Sequence, residues 1–228
     1  MNYGIAQSSS FVSMATQNVR ADFIRRVYGY FFTSILVTVG VGALCSLPGI
    51  REPLMGLMMV LCVAQLIVCF ALHFTKRTTG VNLALFMLFA SLWGAILGPL
   101  LALVGTVAPG VPMQAAMLTT AVFGGLTLYV FQSKKDFSFL GGMLFVGLIA
   151  LIITGILLIF FAPSALYLLY CFGGVILFSG FVLYDTSQIM HHLYPDEAIT
   201  GAIELYLDFL NLFMFILRIL LIFSGRDE

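Results

Sequence analysis

The last membrane-length stretch of the chain, Ala198 to Phe223, is built largely of Leu, Ile and Phe, yet it carries Glu204, Asp208, Asn211 and Arg218. On a helix, at about 100° per residue, these four side chains fall within an arc of roughly 80°. A charge near mid-membrane costs roughly 2.5–3.5 kcal/mol on insertion scales, whereas each Leu, Ile or Phe returns only about 0.3–0.6. Three ionisable groups therefore nearly cancel the drive of this helix to enter lipid. Its expected place is inside a bundle of other helices. An intramembrane stripe of carboxylates is also the first place to look for function.

Composition supplies the bundle. Of 228 residues, 61% are hydrophobic and only 9% charged, with a mean hydropathy of +1.11. A soluble domain carries about 25% charged residues. This is the composition of a polytopic membrane protein. The formal net charge is zero and no Lys/Arg cluster is present, which excludes nucleic acid as a partner. Cys45, Cys62, Cys69 and Cys171 lie in apolar runs without C-x-x-C spacing, and read as small buried hydrophobes rather than metal ligands or disulfides. Met1 to Ala21 is polar and Ser-rich, so a cleaved signal peptide is not expected and the first span directs insertion.

Charge gaps and prolines mark the spans. No charged residue occurs in the 56 residues from Thr78 to Ser133. As one helix these would reach roughly 84 Å, against a hydrocarbon core of about 30 Å. The run must break, and Val107-Ala108-Pro109-Gly110-Val111-Pro112 is the place. The 48 residues from Phe137 to Tyr184 break likewise at Ala162-Pro163-Ser164. The expected fold is an all-α membrane protein of seven transmembrane helices, at 28–47, 54–74, 81–104, 113–131, 139–161, 165–185 and 199–223. Residues 1–27 form an N-terminal segment, 28–223 the transmembrane domain and 224–228 a short tail. Pro99 alone among the prolines falls inside a span, where it predicts a kink.

Basic residues set the orientation. Arg20, Arg25, Arg26, Lys76, Arg77, Lys134 and Lys135 fall on one side, and only Arg51 and Arg226 on the other. The positive-inside rule places the N-terminus in the cytoplasm. Along span three, Ala90, Gly94, Gly98 and Ala102 recur every four residues, a small-residue face for close approach of another helix. Gln65, in the middle of span two, is expected to hydrogen-bond a neighbouring helix.

Asp185 ends the second long charge gap near the cytoplasmic end of span six. Asp208 lies about nine residues into span seven from the same side, roughly 14 Å along the helix. If span six runs a turn or two past the membrane surface, the two carboxyls meet at similar depth. Two carboxylates in a low-dielectric site cannot both stay ionised comfortably, so the pair shares a proton and acts as a pH-dependent latch. Deprotonated, it exposes anionic oxygens suited to a hard cation such as Ca²⁺. His191 and His192, beside Asp196 and Glu197 in the six–seven connection, are read as a solvated loop, with a metal site as the alternative.

The string Leu183-Tyr184-Asp185-Thr186-Ser187-Gln188-Ile189 is followed by Leu205-Tyr206-Leu207-Asp208-Phe209-Leu210-Asn211-Leu212-Phe213 and Leu217-Arg218-Ile219-Leu220. Together these closely resemble the Bax inhibitor family. Lys134-Lys135-Asp136-Phe137-Ser138-Phe139-Leu140-Gly141-Gly142 is similar to the family's bacterial members. The resemblance runs from about Arg20 to the C-terminus. It implies two three-helix layers wrapped around a central C-terminal helix, in the bacterial inner membrane. It also implies a pH-sensitive calcium leak with Ca²⁺ or H⁺ as the ion, a latch formed by Asp185 and Asp208, and a basic partner matched by Lys76 or Arg77. Some members carry a carboxylate where this chain has Gln65. Glu204, a turn before Asp208, is a third acid able to shift the pair's titration; Asn211 and Arg218 complete the polar support.

The resemblance carries an alternative, a non-transporting modulator of the membrane-anchored AAA protease FtsH. A more remote one comes from the residues themselves. Tyr184-Asp185 and Asp208 mimic the paired aspartates of intramembrane aspartyl proteases. Those enzymes, however, have a Gly-x-Gly-Asp turn where this chain has the helix formers Leu205-Tyr206-Leu207 before Asp208. The expectation is a protein with no enzymatic activity and no cofactor beyond the ion it passes.

Overall fold

A computed structural model describes residues 11–75, 79–161 and 164–225, the side chains of residues 73, 79 and 164 excepted. Eight α-helices run through the described residues: α1 (Gln17–Cys45), α2 (Arg51–Gly56), α3 (Met58–Phe74), α4 (Thr79–Val107), α5 (Val111–Ser133), α6 (Gly141–Phe161), α7 (Ser164–His191) and α8 (Ala198–Ser224). No strand occurs among the described residues. All but α2 and α3 are long and apolar enough to cross a membrane, and α3 falls just short in length. The architecture is an all-helical membrane protein.

The predicted second span is two helices. α2 and α3 part at Leu57, after Gly56, whose weak helix propensity ends the first piece. Pro53 sits in the first turn of α2, where its missing N–H has no intrahelical partner to lose. The first span also starts earlier than predicted, at Gln17. Its 29 residues reach about 43 Å, longer than the hydrocarbon core. Its first turns carry Asp22 and Arg26, paired at 3.1 Å one turn apart. Proline punctuation is as expected around Pro109 and Pro112: Gly110 takes a left-handed φ of 87° and Pro112 stands in the first turn of α5. The break at Ala162-Pro163 lies outside the described residues.

The chain divides into two compact units. One comprises 14–107 with 194–206, hence α1 to α4 and the start of α8. Here α4 packs along α1 and also meets α2 and α3. The small-residue face of α4 is the contact with α1. A Cβ on Gly94 would lie 2.6 Å from the Thr38 carbonyl oxygen, and one on Gly98 would enter the backbone of Gly42. Glycine is required at both positions by close approach. Gln65 behaves as expected, its Nε2 donating to the Phe89 carbonyl of α4 at 3.4 Å.

The other unit comprises 11–13, 108–193 and 207–228. Here α7 packs against both α5 and α6. Aromatic rings hold α8 in it: Phe209 meets Phe123 of α5 edge-on at 5.5 Å, and Phe215 meets Tyr170 and Phe178 of α7 at 5.4 and 5.8 Å. Gly174 of α7 leaves the room that Phe215 fills. Half of the most apolar window of α8 is buried, against 11% for the segment containing α6. The helix with the costliest polar stripe is the least exposed one.

Candidate functional site

α7 runs to His191, under two turns past the expected span end at residue 185, and this extension sets the depth of Asp185. Six residues separate Asp185 from that helix end, and ten separate Asp208 from the start of α8, so they lie roughly 9 and 15 Å along their helices. Both are buried, 9% and 4% exposed, and the Asp208 side chain lies close enough to act on the Asp185 carboxyl. Ionised carboxylates are acceptors only. Two carboxyls this close can therefore hydrogen-bond to each other only when one of them carries a proton.

The other polar residues of the α8 stripe are arranged differently. Asn211 donates from Nδ2 to the Leu207 carbonyl at 2.8 Å, one turn back on its own helix. Arg218 stands with Cζ 5.4 Å from the centre of the Phe215 ring, a cation–π contact. Glu204 is half-buried and belongs to the other unit. Lys76 and Arg77, the expected basic partners, lie outside the described residues.

A second polar cluster surrounds Asp136, in the connection between α5 and α6. Its Oδ1 accepts the Ser138 N–H at 2.9 Å and the Ser187 hydroxyl at 3.3 Å, and its Oδ2 lies 2.9 Å from Nε2 of His192. Ser187 in turn accepts the Phe137 N–H at 2.9 Å. Partial burial pushes Asp136 upward, but the Ser138 N–H and the His192 ring outweigh it and hold this carboxyl well below the usual carboxylate range. Phe11 lies edge-on to His192 at 6.0 Å. The fully buried Val12 donates its N–H to the Leu193 carbonyl, and Ser13 its hydroxyl to the His191 carbonyl, both at 2.9 Å. One histidine thus ties together the α5–α6 connection, the end of α7 and residues 11–13.

This differs from the sequence reading. His192 faces Asp136, whereas Glu197 accepts the Tyr194 N–H at 3.0 Å and closes its own turn. Among the described residues no group of three His, Cys, Asp or Glu is placed to hold a metal ion. Asp185 and Asp208 together offer four oxygens, fewer than the six to eight ligands that Ca²⁺ takes. Of the cysteines, Cys171 is buried as expected, but Cys62 and Cys69 lie on the exposed, apolar face of α3.

Two groups escaped the sequence reading. Asp136 is the sole acid between Glu52 and Asp185, an isolation that marks it, but its partner His192 follows only from where α7 ends. Tyr206 is fully buried in the unit of α1 to α4, its hydroxyl 2.6 Å from Thr38 Oγ1 and its ring edge-on to Phe86 and Phe89. Thr38 donates to the carbonyls of Ser34 and Ala90, at 2.9 and 3.0 Å, leaving Tyr206 to donate to Thr38.

Comparison with known proteins adds identity to this geometry. The family described as inhibitor of apoptosis-promoting Bax1 matches residues 20–225. The chain is 36% identical over 223 residues to protein lifeguard 4 of Mus musculus, covering 96% of this chain and 90% of that protein. It is 35% identical over 217 residues to a protein of Helicobacter pylori, covering 95% and 93%. It is 33% identical over 223 residues to Bax inhibitor 1 of Schizosaccharomyces pombe, covering 95% and 82%.

Proposed function

The chain belongs to the Bax inhibitor family of multi-pass membrane proteins, and from that premise we propose that it is a pH-gated leak for Ca²⁺ in the bacterial inner membrane, N-terminus in the cytoplasm. The observation that carries the reading is the burial of Asp185 and Asp208, side chains close enough to act on each other. A shared proton joins α7 to α8 through the two carboxyls. Loss of the proton turns the contact into repulsion between two buried anions, which drives the helices apart and offers oxygens to a cation. The sign follows directly: the latch holds at low pH and opens as pH rises through the titration of the pair. No enzymatic step is invoked.

The test is flux of Ca²⁺ into liposomes reconstituted with the purified protein, measured from pH 5 to 9. Flux should rise with pH in the wild type, and Asp185→Asn and Asp208→Asn should flatten the curve. Identical curves for wild type and both variants would discard the latch. Folded protein with no flux at any pH would leave modulation of the FtsH protease. That alternative draws on the exposed Lys134 and Lys135, and co-purification in mild detergent tests it.

A further inference from the structure

Between α6 and α7 runs a slot of about 740 Å³, from Leu140 and Leu183 at one end to Leu166 and Tyr170 at the other. Along α7 this covers 18 residues, roughly 26 Å, close to the thickness of a bilayer's hydrocarbon core. Its floor is buried Leu144, 3% exposed, while Met143 and Ile176 on its walls are 66% and 73% exposed, so it opens sideways into the surrounding medium. Three glycines line it. A Cβ on Gly147 or Gly180 would meet a leucine side chain at 2.7 Å, so these two pack α6 against α7. Gly173 has nothing within 4 Å of where its Cβ would stand, and it keeps the slot open.

At the Leu140 end, the chain enters α6 through Lys134-Lys135-Asp136. Both lysines are exposed, and neither forms a salt bridge among the described residues. The adjacent acid is taken, Asp136 being held by Ser138, Ser187 and His192. Two exposed cations thus precede, by five and six residues, the leucine at one end of an apolar slot. A molecule complementary to both has an apolar tail and an anionic head. We infer that the α6–α7 slot and the Lys134–Lys135 pair form a binding site for one anionic phospholipid, an acyl chain in the slot and the phosphate headgroup at the lysines.

The inference is independent of ion conduction. It is tested with the full chain in phosphatidylcholine vesicles containing a trace of spin-labelled phosphatidylglycerol or spin-labelled phosphatidylcholine, reading the immobilised fraction of each. Attraction of two lysines for an anionic head predicts that phosphatidylglycerol is favoured about threefold to tenfold. The Lys134→Gln/Lys135→Gln double variant, altered only at exposed positions, should bring that preference close to unity. Gly173→Leu places a good helix former in open space, so it should fill the slot and lower the immobilised fraction of both lipids. Equal retention of the two lipids by the wild type, or an unchanged preference in the double lysine variant, overturns the proposal. A Gly173→Leu variant that dissociates a dimer without changing lipid retention assigns the slot to a second copy of the chain, and overturns it as well.

Discussion

Asparagine at position 208 keeps a hydrogen-bond donor for the carboxylate of Asp185 but removes the need for a proton. An amide N–H₂ donates at every pH, whereas the Asp208 carboxyl donates only while protonated. Spin labels on α7 and α8 should therefore move apart in the wild type as pH climbs from 5 to 9, and keep their low-pH separation in Asp208→Asn. A label separation that tracks pH equally in both proteins would remove the shared proton from the account. Asp136 predicts the opposite sign in a different window. Its carboxyl is held below the ordinary range, so its ionised form stabilises the fold. That contribution is complete above the unfolded value of about 3.9 and is lost as pH falls through the lowered folded value. Thermal melting in detergent should decline on acidification below about pH 4 in the wild type. The Asp136→Asn variant should be less stable at pH 7 and show less of that acid decline. Superimposable pH profiles would remove Asp136 from the stability of this region.

At the scale of elements, the α1–α4 contact is the sharpest case, because backbone meets backbone. Gly98→Ala puts a methyl group into Gly42, neither side of which is a flexible side chain. It should cost roughly 1–3 kcal/mol by overpacking, read as a lower melting temperature in detergent. Gly105→Ala, on the same helix with nothing within 4 Å, should be neutral or slightly stabilising. Equal melting of the two variants would mean that the helices part easily at this contact. That face was legible in the sequence because its period of four needs no partner to be seen. The break at Leu57 was not, since charge gaps mark membrane boundaries and Gly56-Leu57 carries no charge. Asp185 and Asp208 were legible as candidates because both acids stand out in apolar runs. Asp136–His192 was not, because it depends on α7 ending at His191, and helix ends are the least determined feature of an apolar run.

For the whole molecule, the proposed leak raises the question of what closes the aspartate pair. Two accounts predict opposite effects of the basic residues at 76 and 77. If a lysine or arginine held two ionised aspartates together, no proton would be needed, and removing the cation would open the protein at neutral pH. The burial of both carboxyls fits the other account, in which a proton closes the pair, since two buried anions repel. A nearby cation then opposes closure by favouring the ionised form. Lys76→Gln and Arg77→Gln should accordingly leave the flux–pH curve in place or move it to higher pH, since without the cation the pair keeps its proton longer. The measurement is Ca²⁺ entry into liposomes across pH 5–9 for each variant beside wild type. A curve displaced to lower pH, with flux at neutral pH that the wild type lacks, would replace the shared proton with an ion pair as the closing contact. No Ca²⁺ entry from wild type or variants would leave the pair a structural contact between α7 and α8.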